Sequence, residues 1–134
     1  MSDIGTKNKK FIQEVFKQVF ETSGVSEKVI AQYFSSNYQQ WVDGHKLNYD
    51  DFIAHIKAQQ SRVARVSIHF KSLVAEGNKV ASIHLIDAVT KAGKPVKGRV
   101  MAQFTLEDGK ITACEELTFI QEASEEDQDL GHTH

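Results

Sequence analysis

The chain has 134 residues, 40% apolar and 25% charged, with sixteen Lys and Arg against eighteen Asp and Glu for a net charge of −2. That length builds one domain with its own core, and the composition excludes global disorder and collagen-like repeats. The charge balance excludes the basic face of a nucleic-acid binder, and a single cysteine, Cys114, excludes an internal disulfide and a thiolate metal cluster. No apolar run approaches the roughly 20 residues that span a bilayer, and the polar start Met1-Ser2-Asp3 is not a secretory signal. These features lead us to expect a cytoplasmic protein with no nucleic-acid or membrane partner.

The first third reads as helix. Phe11, Ile12, Val15, Phe16, Val19 and Phe20 form an apolar stripe at the 3.6-residue period. Gly24 ends that helix, and Ser26 caps a second one carrying Val29, Ile30, Tyr33 and Phe34. After the loop residues Ser35-Ser36-Asn37, the stretch Tyr38-Gln39-Gln40-Trp41-Val42 reads as a short strand, closed by an Asp43-Gly44 turn. Asn48 and Asp51 have capping-box spacing for a third helix with Phe52, Ile53, Ile56 and Val63 on its apolar face.

From about residue 66 the pattern becomes strand: 66–75, 80–90, 95–106 and 111–120. Turn chemistry separates them at Glu76-Gly77-Asn78, Ala92-Gly93-Lys94 and Asp108-Gly109. No helix intervenes, so these four strands form an antiparallel meander. The expected architecture is α+β: three N-terminal helices packed in a curved, mainly antiparallel sheet, shaped as a cone. Residues 1–121 form that single domain. Residues 122–134, with five acids and no base, form an acidic tail.

Facing on the strands depends on hairpin register. With two-residue turns throughout, Ile68, Phe70, Val74, Ala81, Ile83, Leu85, Val100, Ala102, Phe104, Ile111, Ala113, Leu117 and Phe119 share the inner face. Asp87 and Glu115 are then its embedded acids, and His84 and Glu116 point outward. A glycine bulge at Ala-Gly-Lys or Asp-Gly-Lys flips the strand that follows. Both registers stand at this point, so Glu116, His84 and Asp87 are all catalytic candidates.

Three stretches resemble the SnoaL-like members of the nuclear transport factor 2-like superfamily. They are Tyr38-Gln39-Gln40-Trp41, Glu76-Gly77-Asn78-Lys79-Val80-Ala81 and Phe104-Thr105-Leu106-Glu107-Asp108-Gly109-Lys110-Ile111. The last is similar to the family's Phe-x-x-x-Asp-Gly-Lys-Ile hairpin, and the resemblance covers about residues 8–121. It implies a pocket between sheet and helices for a small apolar molecule, a homodimer through the sheet, and cofactor-independent isomerase, cyclase or hydrolase chemistry. A non-catalytic binding module or dimeric scaffold is the alternative.

In similar epoxide hydrolases a catalytic acid lies five residues after the Ile of the Gly-x-Ile turn, which is Glu116 here. Their paired Arg and Asp map onto His84 and Ile86, so that pair is absent. Their Tyr-x-Asn maps onto Tyr38 and Gln40, and the Tyr that ketosteroid isomerase-like proteins carry on the first helix has no counterpart. Glu116 inside an apolar cone would have a raised pKa, as a general acid or base needs, and His84 could pair with it as an oriented base. Tyr38, Gln40, Trp41, Phe104 and Cys114 are the substrate-binding candidates. No His-x-x-x-His or Cys/His spacing points to a metal, and no cofactor is expected.

Overall fold

A computed structural model describes residues 3–123. Helix α1 (Ile4–Val15) starts where the Asp3 carboxylate accepts from the Thr6 amide. It runs into a π-helical turn, Phe16–Phe20, closed by the Glu21 amide donating to the Phe16 carbonyl at 2.9 Å. Helix α2 (Glu27–Tyr33) has the expected Ser26 cap. Helix α3 (Tyr49–Arg62) has the full capping box, with the Asp51 amide donating to Asn48 Oδ1 at 2.9 Å and the Asn48 amide to the Asp51 carboxylate at 3.2 Å. Such caps are each worth about 1 kcal/mol.

The six strands are β1 (Phe34–Val42), β2 (His45–Leu47), β3 (Val63–Glu76), β4 (Lys79–Thr90), β5 (Pro95–Glu107) and β6 (Lys110–Glu122). Their order across one sheet is β2-β1-β6-β5-β4-β3. The meander is antiparallel as expected, and β1 joins it parallel to β6. Strand β2 was not anticipated: Asp43 and Gly44 both take positive φ in a two-residue hairpin that brings His45 opposite Val42. Strand β1 also begins four residues early, at Phe34. Its pairing with β6 is irregular between Phe34 and Gln39, which absorbs the residues read as loop.

The three helices pack on the inner face of the sheet. Phe34, Tyr38 and Phe52 form an aromatic knot with ring centroids 4.6 to 4.9 Å apart. Strand β3 is one sheet edge, and there the Glu21 carboxylate accepts from the Ile68 amide at 2.8 Å. No described helix is long and apolar enough to cross a membrane.

Two registers decide which side chains face inward. Between β4 and β5, Val89 pairs with Pro95, which leaves five residues in the connection. Two-residue turns everywhere would instead pair odd positions of β4 with even positions of β5. The change turns Val80, Ser82, His84 and Ala88 inward, all buried, while Asp87 lies exposed on the outer face between Ser67 and Lys97. Ala81, Ile83 and Leu85 go outward with it, and a bulge at Lys71 leaves Val74 outward and 62% exposed.

The Asp108-Gly109 turn has two residues, but Thr112 is bulged out of the β5–β6 ladder. Beyond it Cys114, Glu116 and Thr118 therefore share the face of Phe104, Ala102 and Val100. Glu115, Leu117 and Phe119 are on the outer side and exposed. The acidic tail past Ala123, with His132 and His134, lies outside the described residues.

Candidate functional site

Sheet, π turn and α3 enclose a cavity of about 250 Å³, whose wall is mostly hydrocarbon and aromatic ring. Tyr38, Gln40, His84, Phe104, Cys114 and Glu116 all line it. Two candidates do not. Asp87 is on the far side of the sheet, for the register reason given above. Trp41 alternates outward between the cavity residue Gln40 and the buried Val42, where it pairs with Glu115 and Lys46 Nζ sits 5.7 Å from its ring.

The polar side chains of one wall form a chain. Tyr38 Oη donates to Gln40 Oε1 at 2.6 Å, and Gln40 Nε2 donates to Glu116 Oε1 at 3.1 Å. Thr118 Oγ1 donates to Glu116 Oε2 at 3.4 Å, and Cys114 Sγ lies 3.9 Å from Oε1. The sheet produces this grouping: Gln40 pairs with Cys114 and Val42 with Glu116 in the parallel ladder, so alternate residues of β1 and β6 lie side by side. A carboxylate only accepts, so Glu116 fixes which end of the Gln40 amide faces it.

No cationic side chain pairs with Glu116 among the described residues. Burial pushes its carboxyl up to about 7, helped by the negative charge of Asp43, while bonds from Thr118 and Cys114 pull the other way. Asp43 sits in the β1–β2 turn. Its amide donates to the Glu116 carbonyl at 3.0 Å and its carboxylate accepts from the Thr118 amide at 2.7 Å. Burial also raises the Tyr38 hydroxyl and the Cys114 thiol well above their ordinary values, so both stay protonated near neutrality.

His84 is separate from this group. Strand β5 lies between β4 and β6, and His84 sits in the row of Val100 and Thr118, one inner-face step from Ala102 and Glu116. At about 4.8 Å per strand and 3.4 Å per residue the two Cα atoms are roughly 12 Å apart. No hydrogen bond joins His84 to Glu116, so the expected pair is not formed. His84 Nδ1 instead bonds Ser82 Oγ at 2.9 Å, and burial holds the imidazole down to about 4, neutral at physiological pH.

Sequence reasoning missed three contributors to the site: His55, which is buried on α3 and lines the cavity, Thr118 and Asp43. His55 follows Phe52 by three residues on the apolar stripe, a helix-spacing signal for facing inward. Thr118 follows from Glu116 by strand alternation once the bulge is known. Asp43 carried a turn signal only. Among the described residues no group of three or more His, Cys, Asp or Glu is placed to hold a metal ion.

Comparison with known proteins gives a family and a fold. A model of the SnoaL-like domain matches residues 12–114. An uncharacterized protein of Schizosaccharomyces pombe is 32% identical over 124 residues, covering 92% of this chain and 95% of that one. AclR of Streptomyces galilaeus superposes with a TM-score of 0.73 at 14% identity, covering 96% of this chain and 87% of AclR. A protein of Jannaschia sp. CCS1, provisionally described as a SnoaL-like polyketide cyclase, gives 0.74 at 16%, covering 88% and 89%. An LEH-like epoxide hydrolase of M. tuberculosis gives 0.69 at 13%, covering 85% and 84%. At these identities the structural likenesses speak for the fold alone.

Proposed function

The chain belongs to the SnoaL-like domain family, and from that premise we propose that it is a cofactor-independent enzyme acting on a compact apolar molecule by acid/base chemistry. The observation that carries this reading is the Glu116 carboxyl, open to an apolar cavity, without a cationic partner among the described residues and poised near neutrality. A group with that pKa takes up a proton and returns it at comparable cost, as isomerisation, cyclisation and hydrolysis each require. As carboxylate it removes a proton from carbon or from water. Gln40 and Thr118 hold its two oxygens in place, and lone pairs remain for the cavity. Tyr38 acts one bond further back by fixing Gln40. The cavity, at about 250 Å³, is slightly smaller than the usual ligand site of about 300–1,000 Å³, which supports a compact substrate.

The test is a carbon-13 NMR titration of the Glu116 carboxyl. A midpoint near 7 is expected. An ordinary carboxylate value would leave the cavity as a binding module without a base.

The outer face favours a second reading compatible with the first, in which two copies pair through it. Ile83, Met101 and Leu117 form one row across three adjacent strands. Val74, Met101, Leu117 and Phe119 are each more than half exposed. Contiguous apolar surface of this kind marks an interaction site, and twofold symmetry lets one patch cover its own copy.

A further inference from the structure

The cavity has a second polar station that the acid/base chemistry leaves unused. His84 is 3% exposed, with its ring edge-on to Phe16 at 4.8 Å between centroids and tilted against Phe70 at 5.5 Å. Those two rings fix its plane, and Ser82 Oγ occupies Nδ1. Nε2 is left with no partner among the described residues. It is not sealed in, since the one enclosed side-chain nitrogen or oxygen lacking a partner among the described residues is Arg99 Nε. His84 lines the cavity, so Nε2 opens into it. A polar atom in such a wall costs free energy unless something bonds it, and an apolar ligand would strand it.

We infer that His84 Nε2 is a specificity determinant that bonds an oxygen of the ligand, hydroxyl or carbonyl, remote from the atom that meets Glu116. The inference rests on the reading that the cavity takes a small apolar molecule, not on which proton Glu116 moves. It narrows the substrate class to a largely hydrocarbon skeleton that carries an oxygen away from its reacting centre. With β5 between their strands, the two stations meet the cavity at different places on its wall. Neutrality of the imidazole suits this role, because a charged ring would demand an anion in a cavity that already holds a carboxyl. His84 acts here by holding the ligand in one orientation, with no part in proton transfer.

The experiment uses two probes of one shape, 2-naphthol and naphthalene, with the full chain labelled with nitrogen-15 at histidine. 2-Naphthol is expected to bind about three- to tenfold tighter, the worth of one net hydrogen bond, and to shift the Nε2 resonance of His84. Naphthalene should bind without that shift. In His84→Phe the preference should vanish while naphthalene affinity holds, and in Glu116→Gln both preference and shift should persist. Equal binding of both probes with Nε2 unmoved overturns the assignment of His84 and leaves the cavity reading intact. A cavity that admits neither probe overturns both. The wild-type spectra decide the matter even where His84→Phe fails to fold.

Discussion

Gln40 and Glu116, 76 residues apart in the chain, meet through a 3.1 Å hydrogen bond across the sheet's parallel strand pair. That contact ties the carboxyl of β6 to Tyr38, and through it to the aromatic knot under α3. The geometry of the proposed base is therefore set by the core of the domain and not by a loop.

Replacement of Glu116 by Gln should preserve the fold and lower kcat by at least about a hundredfold, the usual contribution of a positioned acid or base. KM should change little, because the carboxamide keeps the size of the group. Steady-state kinetics on a substrate that the wild type turns over measures both. Wild-type turnover by the variant would end the catalytic role of this residue.

Two shifted groups give the stability of the protein an unusual pH dependence. The folded chain holds the Glu116 proton between pH about 4.5 and 7, where the unfolded chain has released it, so this group makes stability fall as pH rises. His84 does the reverse. Its folded value of about 4 against 6.5 means the unfolded chain holds the extra proton, so stability is lost as pH drops through that window. Between about pH 4.5 and 6.5 the slopes oppose, each at most about 1.4 kcal/mol per pH unit, with solvent in the cavity reducing the Glu116 share. Glu116→Gln should therefore gain stability with rising pH more steeply than wild type, and His84→Phe should lose it. Urea midpoints at pH 5 and 6.5 provide the comparison, and parallel profiles for all three proteins would contradict both shifts.

Asp43→Asn should lower the pKa of Glu116 by up to about one unit, since it removes a like charge and keeps an oxygen for the Thr118 amide. Asn tolerates the positive φ of that turn, so the hairpin should survive. The acid limb of any activity profile should move with it. An unmoved Glu116 titration would mean the turn charge is screened by solvent.

Leu117→Glu places a charge in the middle of the outer apolar row and is expected to shift the protein toward monomer in sedimentation velocity. Cavity binding of naphthalene should be unaffected, because Leu117 faces away from the cavity. A monomeric wild type at tens of micromolar would remove the pairing proposal.

Apart from β2 and the π turn, element types and their order were legible because they depend on local signals. The Asn48–Asp51 box, the Ser26 cap and the Asp108-Gly109 turn act within a few residues. Facing on the strands was not, because it depends on counting. One residue more or less between β4 and β5 exchanges His84 for Asp87 as the inward group, and the bulge at Thr112 decides the same for Glu116 against Glu115. Turn propensity does not specify loop length to one residue, and nothing near Thr112 marks a bulge. Trp41 shows a related limit. No sequence feature decides between the pocket mouth and a dimer seam for it, and strand alternation beside the inward Gln40 turns it outward.

The carboxylate of Glu21 on the Ile68 amide has a meaning beyond the cavity it borders. Strand β3 is a fourteen-residue border with its outward amides available for pairing, the kind of template on which a foreign strand can grow an intermolecular sheet. An acid seated on one of those amides, with ladder irregularities near both Ala64 and Lys71, breaks that border into short pieces. What is left of the border offers a foreign strand only short runs of amides to grow on.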